Sequence, residues 1–559
     1  MSLRPSSGAN PALSSTGERR RPGGPARLLN RARLTERARW IERVPGAWWS
    51  SRWDRRVVGA LVLLAAMLRI PNLGRAYWVD EGISVGIASS PISQIPHLLR
   101  LDGSPPLFYA LLHVWLQAFG ASPVSTHVLA VLISLAVIPV AFWAGRSLFG
   151  RDAGFAAAAL ATTSPFLTWY GTETRMYTLL VGLGLVALTF TVRAVRYRIR
   201  RDALGAVAAS AAVIYTHNWG LYVVAVTALV VLVQAWRSAD RALARGVVLC
   251  GLGVGVLYSP WLPTLFAQVG STAAPWAVPP GVADLFADPA SLLGGTLGVV
   301  ILPALVYGVW STRRDRPLVD RDATALLGAI GIGTLVIGWC VSYLEPSWTV
   351  RYLGVTLAAL LLGAAGCMAS SSRGRAILLG VCVVCALWGL IGSLLPNPNA
   401  RYAKSNVAAV AAAAGPDLHQ GDVVVVSQTE QLAVLHYYLP PGLTYLTPTG
   451  VSTDPKVVDW RHIVPRLQAA NPCQTILPAI SALPPGARIL EISPLRPIGS
   501  SGSAWSRVVN AQVVSIGHLL ADQTTLVPLA AFRQGTSPKP FSGVVGELYA
   551  KSSGAALCQ

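Results

Sequence analysis

Eleven apolar segments recur along this 559-residue chain, and they restrict its folding more than any other feature. They fall near residues 57–72, 124–145, 153–169, 176–192, 203–216, 218–236, 246–262, 291–311, 322–344, 350–369 and 376–395. Several are shorter than the ~20 residues of a full bilayer crossing. Inside a bilayer no water serves the backbone, so each segment must close its own hydrogen bonds as a helix. Composition agrees: 53% of residues are hydrophobic and only 13% charged, with mean hydropathy +0.51. A soluble domain carries about 25% charged residues. The chain reads as an integral membrane protein, mostly α, a polytopic helical bundle of about 11 spans.

Charge orients the bundle. Residues 1–56 hold thirteen Arg against four acids and are rich in Ser, Pro and Gly, which reads as a disordered basic tail. No short apolar core followed by small residues marks a cleavable signal peptide there. A further segment, 106–119 (PLFYALLHVWLQAF), is ambiguous. If it lies along the surface, then Arg146, Arg151, the Arg193–Arg201 run, Arg237, Arg241, Arg245, Arg313, Arg314, Arg316, Arg321, Arg373 and Arg375 all join the tail on the cytoplasmic side. Counting it as a span would invert them, against the positive-inside rule. The non-crossing reading follows. It accounts for the +20 net charge through membrane topology, with no nucleic-acid partner.

The same topology sorts the polar motifs onto the outer face: YWVDEG (77–82), LDGSPP (101–106), YGTETRMY (170–177), YTHNWG (215–220), LYSPWLP (257–263) and EPSWTVRYL (345–353). Past residue 396 the hydropathy falls. GDVVVVSQ (421–428) and ARILEIS (487–493) read as strands; 430–439, 457–470 and 506–521 read as helices. This alternation predicts a small α/β domain over 396–559, extracytoplasmic after an odd number of spans. The bundle itself occupies 57–395. Cys250, Cys340, Cys367, Cys382 and Cys385 lie in or beside apolar spans and form no ligand pattern. Cys473 and Cys558 belong to the outer domain, where they could pair.

Charged groups at the edge of a bilayer are costly unless paired, ligating or hydrated. Asp80 and Glu81 place two carboxylates in one small region, where one could take a proton from a hydroxyl while its neighbour holds a metal or positions it. Asp102 follows in the same loop. Glu173 and Arg175 open the next outer segment, readable as a helix-terminal acid with a snorkelling Arg or as part of a site. Their proximity reads as a pair, as does that of Arg100 and Asp102. His217 reads as a structural interfacial histidine or a metal ligand. Arg351, beside Tyr352, reads as an interfacial anchor or as a fork for phosphate oxygens.

WVDEG, DGSPPLFY, LFGRDAG, ETRMY, YTH, SPWLP and VRYL, in this order, resemble the polytopic GT-C glycosyltransferases, nearest the branch that uses polyprenyl-phosphate sugars and includes the protein O-mannosyltransferases and the lipid A aminoarabinose transferase. The resemblance covers roughly residues 55–395. It implies a catalytic carboxylate at Asp80 with Glu81 as its neighbour, and it matches Glu173 to the acid before the Arg-x-Tyr. Some relatives carry Glu-Lys before the Pro-Pro to contact metal and lipid phosphate; here Gly103-Ser104 stand there, which shifts weight to Arg351. The expected site therefore comprises Asp80 and Glu81 as catalytic groups and Arg351, Tyr352, Arg175, Tyr177 and Arg100 as substrate contacts. Asp102, Glu173 and His217 would be the ligands of a divalent metal (Mg, Mn, Ca or Zn), should one serve. The expected activity is inverting transfer of a sugar from a polyprenyl-phosphate donor to a cell-envelope glycan, lipid or protein at the outer face of the plasma membrane. The alternative is a transporter or flippase of an amphipathic envelope precursor.

The topology is open to direct test. An impermeant thiol reagent applied to intact cells after mild reduction is expected to label Cys473 and Cys558. Labelling only after lysis would reverse the orientation.

Overall fold

The computed structural model describes residues 51–272, 274–312, 318–394, 404–499, 502–536 and 542–554. Most of the basic tail, Arg313, Arg314, Arg316 and Cys558 lie outside the described residues. Each of the eleven apolar segments forms a helix; among them are Arg52–Arg69, Pro123–Phe149, Tyr177–Tyr197, Leu318–Leu344 and Ser372–Leu394. Among the described residues, seven helices are long and apolar enough to cross a membrane. The chain is a multi-pass membrane protein with a small sheet domain at its C-terminal end. The ambiguous segment is a 13-residue helix, Leu107–Phe119, about 20 Å long at 1.5 Å per residue and too short to span the ~30 Å hydrocarbon core.

Two buried charges brace the bundle. Arg69, at the end of the first helix, is fully buried. It donates to Ser134 Oγ at 2.9 Å and to the carbonyls of Ala65, Leu167, Thr162 and Ala161 at 3.1–3.4 Å. Every nitrogen of that guanidinium thus meets an oxygen, the condition for tolerating a charge there. At the other end of the same helix, Asp54 pairs with Arg151 at 2.8 Å and Arg146 at 3.7 Å. Arg198–Asp240 at 2.6 Å and Arg375–Asp152 at 3.3 Å extend this basic end of the bundle. The helix Pro123–Phe149 separates Arg146 from His127 by 19 residues, about 29 Å of rise, so the two ends of the bundle differ in chemistry.

The sheet has six strands: β1 (Val423–Val426), β2 (Thr444–Thr447), β3 (Gly450–Val451), β4 (Arg488–Pro494), β5 (Leu526–Phe532) and β6 (Val544–Lys551). Their order is β3-β2-β1-β4-β6-β5, with β1 parallel to β2 and β4 and the remaining pairs antiparallel. All four valines of β1 are buried because both faces are covered. Val424 and Val426 pack with the helices Val407–Ala414 and Leu432–Tyr438, while Val423 and Val425 pack with Ile476, Ile480 and Ile516. The helix expected over 457–470 begins only at Ile463, because His462 takes a left-handed φ of 47°. Cys473 is disulfide-bonded, and the five cysteines in or beside the spans are free thiols.

The sheet domain docks on the helix Val79–Ala88. Tyr77 and Val85 enter the core on one face of the sheet, and the Tyr77 N–H donates to the Tyr438 hydroxyl at 2.9 Å. Two glycines one turn apart make the approach close. A Cβ on Gly82 would lie 2.7 Å from Val434 Cβ, and one on Gly86 only 2.1 Å from the Lys456 carbonyl oxygen. Gly86→Ala is therefore expected to destabilise the docked domain by about 1–3 kcal/mol, the usual cost of overpacking. Thermal unfolding in detergent checks this, and an unchanged midpoint would contradict so close a contact.

Candidate active site

The helix Val79–Ala88 starts where Glu81 reaches back to its own N-terminus. The Trp78 N–H donates to Glu81 Oε2 at 3.4 Å, half of a capping box. Glu81 Oε1 accepts from the Thr174 N–H at 2.8 Å and meets His127 Nε2 at 2.8 Å. His127 Nδ1 lies 2.9 Å from the Leu73 carbonyl and must donate to it. The imidazole therefore either carries both protons opposite a carboxylate or accepts one from a protonated Glu81. Burial alone would raise the Glu81 carboxyl, but His127, Lys404 and the Thr174 amide outweigh it and hold the group below the usual carboxylate range. At 2% exposure and with its oxygens engaged, Glu81 has the surroundings of a positioning group.

Its neighbour Asp80 turns the other way. Arg351 Nη1 donates to Asp80 Oδ2 at 2.7 Å, and Arg175 Nε lies 4.0 Å from the same oxygen. Asp80 Oδ1 has no hydrogen-bond partner among the described residues. Arg175 also donates from Nη1 to Ser84 Oγ at 2.9 Å and to the Asp80 carbonyl at 3.3 Å. Burial would lower the Arg351 guanidinium, yet the Asp80 charge more than compensates and raises it. Arg351 lies 5.6–5.9 Å from the ring centres of Trp78, Trp276 and Tyr352.

Two expected pairs are corrected. The Glu173 carboxylate pairs with Lys404 and not with Arg175, whose guanidinium is held by Asp80 and Ser84. Burial raises the Glu173 carboxyl; Lys404 opposes this and Glu81 adds to it. Asp102 accepts from the Tyr109 hydroxyl at 3.3 Å, and burial raises its carboxyl. Arg100 instead lines a cleft of about 770 Å³ with His97, Asp459, Arg461 and Arg466. His217 packs against Tyr352 and Tyr177, with ring centres 4.7 and 5.9 Å away. Its Nδ1 accepts the Trp219 N–H at 3.1 Å. Burial, then Arg175 and Arg351, push it down to about 3, so it is neutral.

The structure thus brings Asp80, Arg175, Arg351, Tyr177 and Tyr352 together, with Glu81 and Glu173 behind them. It does not assemble Asp102, Glu173 and His217 into a metal site. Among the described residues no three His, Cys, Asp or Glu side chains gather for one. The donor set also fits a metal poorly, because Glu173 faces an ammonium and His217 Nδ1 is already occupied. Lys404 was not foreseen. It follows the last span and sits 4.7 Å from the Trp169 ring centre and 5.7 Å from that of Trp78. Arg75 shares the Trp169 face at 5.3 Å, and its buried Nε has no hydrogen-bond partner among the described residues. The sequence signal was available: the resemblance leaves the Lys that some relatives carry before the Pro-Pro unfilled, and Lys404 lies just past the last span.

The bundle and its appended sheet domain have the fold of the polytopic GT-C membrane glycosyltransferases. The chain is similar to ArnT from Cupriavidus metallidurans in the apo state, with TM-score 0.57 and 16% identity over 91% of this chain and 99% of ArnT. It is equally similar to ArnT bound to undecaprenyl phosphate, with TM-score 0.56 and 14% identity over 91% of this chain and 100% of ArnT. No protein-family model matches the sequence, and no curated protein matches it.

Glu81→Gln keeps the shape but removes the negative charge opposite His127 and turns one of the two acceptor oxygens into a donor. A loss of about 1–3 kcal/mol is expected at neutral pH, the cost of unpaired buried groups. Because the folded state lowers the Glu81 carboxyl, this contribution is complete above the unfolded value of about 4.3 and fades as pH falls through the lower folded value. Thermal unfolding of both proteins across pH checks the narrowing gap. A constant gap would mean that Glu81 is not charged in the folded protein.

Proposed function

We propose that the chain is an inverting glycosyltransferase that moves a sugar from a polyprenyl-phosphate donor to an envelope acceptor at the outer membrane face. The observation carrying this reading is the grip of two arginines on Asp80 Oδ2, which leaves Oδ1 without a partner, beside an aromatic floor bearing Lys404 and Arg75. In a single displacement the acceptor hydroxyl attacks the anomeric carbon while Asp80 Oδ1 takes its proton. The bond from that carbon to the phosphate oxygen breaks on the opposite face, inverting the configuration. The departing polyprenyl phosphate carries the negative charge, which Arg351, Arg175, Lys404 and Arg75 are placed to balance. Arg351 exchanges part of its contact with Asp80 for phosphate oxygens, the fork geometry that a guanidinium offers. Glu81 holds the helix that presents Asp80.

The ArnT structure with undecaprenyl phosphate supports a donor of this lipid class. The ion pairs at the basic end of the bundle support a cytoplasmic assignment for that end and an outer one for the site. Against the transporter alternative, Asp80, Glu173, Arg175, Arg351 and Lys404 all come from loops or from one short helix, not from the interior of spans.

The test uses purified full-length protein in nanodiscs with a panel of radiolabelled polyprenyl-phosphate sugars and an envelope fraction as acceptor. Wild-type protein is expected to transfer label from at least one donor. Asp80→Asn should lower turnover by about 10²–10⁴, and Arg351→Lys should weaken donor use, raising the donor concentration needed for half-maximal rate. Near wild-type turnover by Asp80→Asn would remove Asp80 as the base.

A further inference from the structure

In an open α/β sheet, ligands bind outside the carboxyl ends of parallel strands, where the chain departs to opposite sides. Here that point is β1. Its two parallel neighbours lie on either side, β2 next in the chain and β4 later, so the crossover direction reverses at β1. The residues just past its carboxyl end are Ser427, Gln428, Thr429, Glu430 and Gln431. All are polar and all are at least nine-tenths buried. The Ser427 N–H donates to the Ile492 carbonyl of β4, so the β1–β4 ladder runs on to Ser427 and the segment leaves from the shared carboxyl end of the two strands.

Buried polar side chains are ordinarily satisfied. In this segment Thr429 Oγ1, Glu430 Oε2 and Gln431 Oε1 have no hydrogen-bond partner among the described residues. Gln428 Nε2 donates to Glu430 Oε1 at 2.6 Å, which fixes the carboxyl beside the Trp505 indole and leaves its second oxygen without a geometrically sound partner among the described residues. Burial pushes this carboxyl up to about 7, with the Asp80 charge adding to the effect. Glu430 therefore lies within electrostatic reach of Asp80. A line of tryptophans joins the two regions: Trp505 stands 5.4 Å from Trp460, Trp460 is 5.0 Å from Trp276, and Trp276 lies under Arg351. The buried Trp276 Nε1 likewise has no partner among the described residues. The five residues of the segment thus offer hydroxyl, amide and carboxyl groups and no cation, a lining suited to uncharged hydroxyls.

We infer that the carboxyl end of β1 is a binding subsite for a neutral, polyhydroxylated ligand, the glycan acceptor, with Glu430 and Gln431 as its hydrogen-bonding contacts. This rests on the proposed glycosyltransferase reading for the ligand's role as acceptor. It goes beyond that reading by naming the place and the chemical class. An acceptor hydroxyl held here faces the Asp80 region across the docked interface.

Binding is measured without turnover, so that failure of the subsite and failure of the transfer reaction are separable. Full-length protein in nanodiscs is titrated, by saturation-transfer NMR, with a methyl mannotrioside, a methyl arabinofuranotrioside and mannose 6-phosphate. At least one neutral trioside is expected to bind. Glu430→Gln, which keeps size and loses the ionisable carboxyl, should weaken it about 10-fold, and Glu430→Ala further, with unchanged thermal midpoints verifying the fold. Asp80→Asn should bind the trioside as wild type does even where transfer is lost. Absence of binding by either trioside, binding of the sugar phosphate alone, or equal affinity in wild type and both Glu430 variants would each overturn the subsite. Saccharide binding without transfer from any donor would retain the subsite and remove the enzyme reading.

Discussion

The three-way contact made by Glu81 is the constraint on which the rest of the site depends. One buried carboxylate joins the start of its own helix through Trp78, the loop at Thr174, and the membrane-crossing helix through His127. A buried carboxylate is tolerable only when its lone pairs are met, so these three segments are held in one arrangement. Asp80 precedes Glu81 by one residue, and on a helix adjacent side chains diverge by about 100°. Fixing Glu81 inward therefore presents Asp80 toward Arg351 and Arg175. The two neighbouring acids acquire different surroundings because one residue of helix, about 100°, separates their directions.

Charge then organises the second shell of contacts. Two buried carboxylates, Glu81 and Glu173, lie close enough to raise one another's cost of ionisation, and His127 and Lys404 divide the compensation. In front of them a single carboxylate, Asp80, stands against Arg351 and Arg175. The imbalance matters more than any one pair. Arg75, Arg175, Arg351 and Lys404 surround the aromatic floor of Trp78, Trp169 and Trp276, where rings support cations without neutralising them. Four cations thus share this floor with two facing carboxylates, Asp80 and Glu173, an excess that the proposed reading assigns to a lipid phosphate.

The bundle was legible in the sequence because a bilayer imposes a length and a composition on each helix, and both are local properties. Strands β1 and β4 were legible for a similar reason, as short buried apolar runs. β2 and β3 were not, since Thr444–Thr447 and Gly450–Val451 are too short to show a period. β5 was missed because it is an edge strand whose middle residues are exposed. The membership of the site was legible only in part. Asp80 and Arg351 could be named from their motifs, yet their contact spans 271 residues, and the partnership of Lys404 with Glu173 spans 231. Pairing by proximity in sequence failed for Glu173 with Arg175 and for Arg100 with Asp102, because short outer helices redirect each side chain within one or two residues. Lys404 belongs to the 396–559 segment, whereas every expected site residue lies within the 57–395 bundle.

That boundary hides a coupling between the two parts of the molecule. Lys404 belongs to the segment entering the sheet domain, while its partner Glu173 belongs to the bundle. Removing the domain from the bundle would leave Glu173 buried and unpaired, a change that costs about 3–5 kcal/mol for a buried ion pair broken on one side. The glycine contacts at Gly82 and Gly86 act in the same direction, since they let the sheet domain approach the acidic helix to within van der Waals distance. Docking and the completion of the cation set are therefore a single event. The polar crevice at β1 is fixed relative to Asp80 by the same interface, through the packing of Val434 on Gly82 three residues after Gln431. A chain built this way cannot bring Lys404 to Glu173 without also bringing the carboxyl end of β1 to the face of the bundle where Asp80 stands.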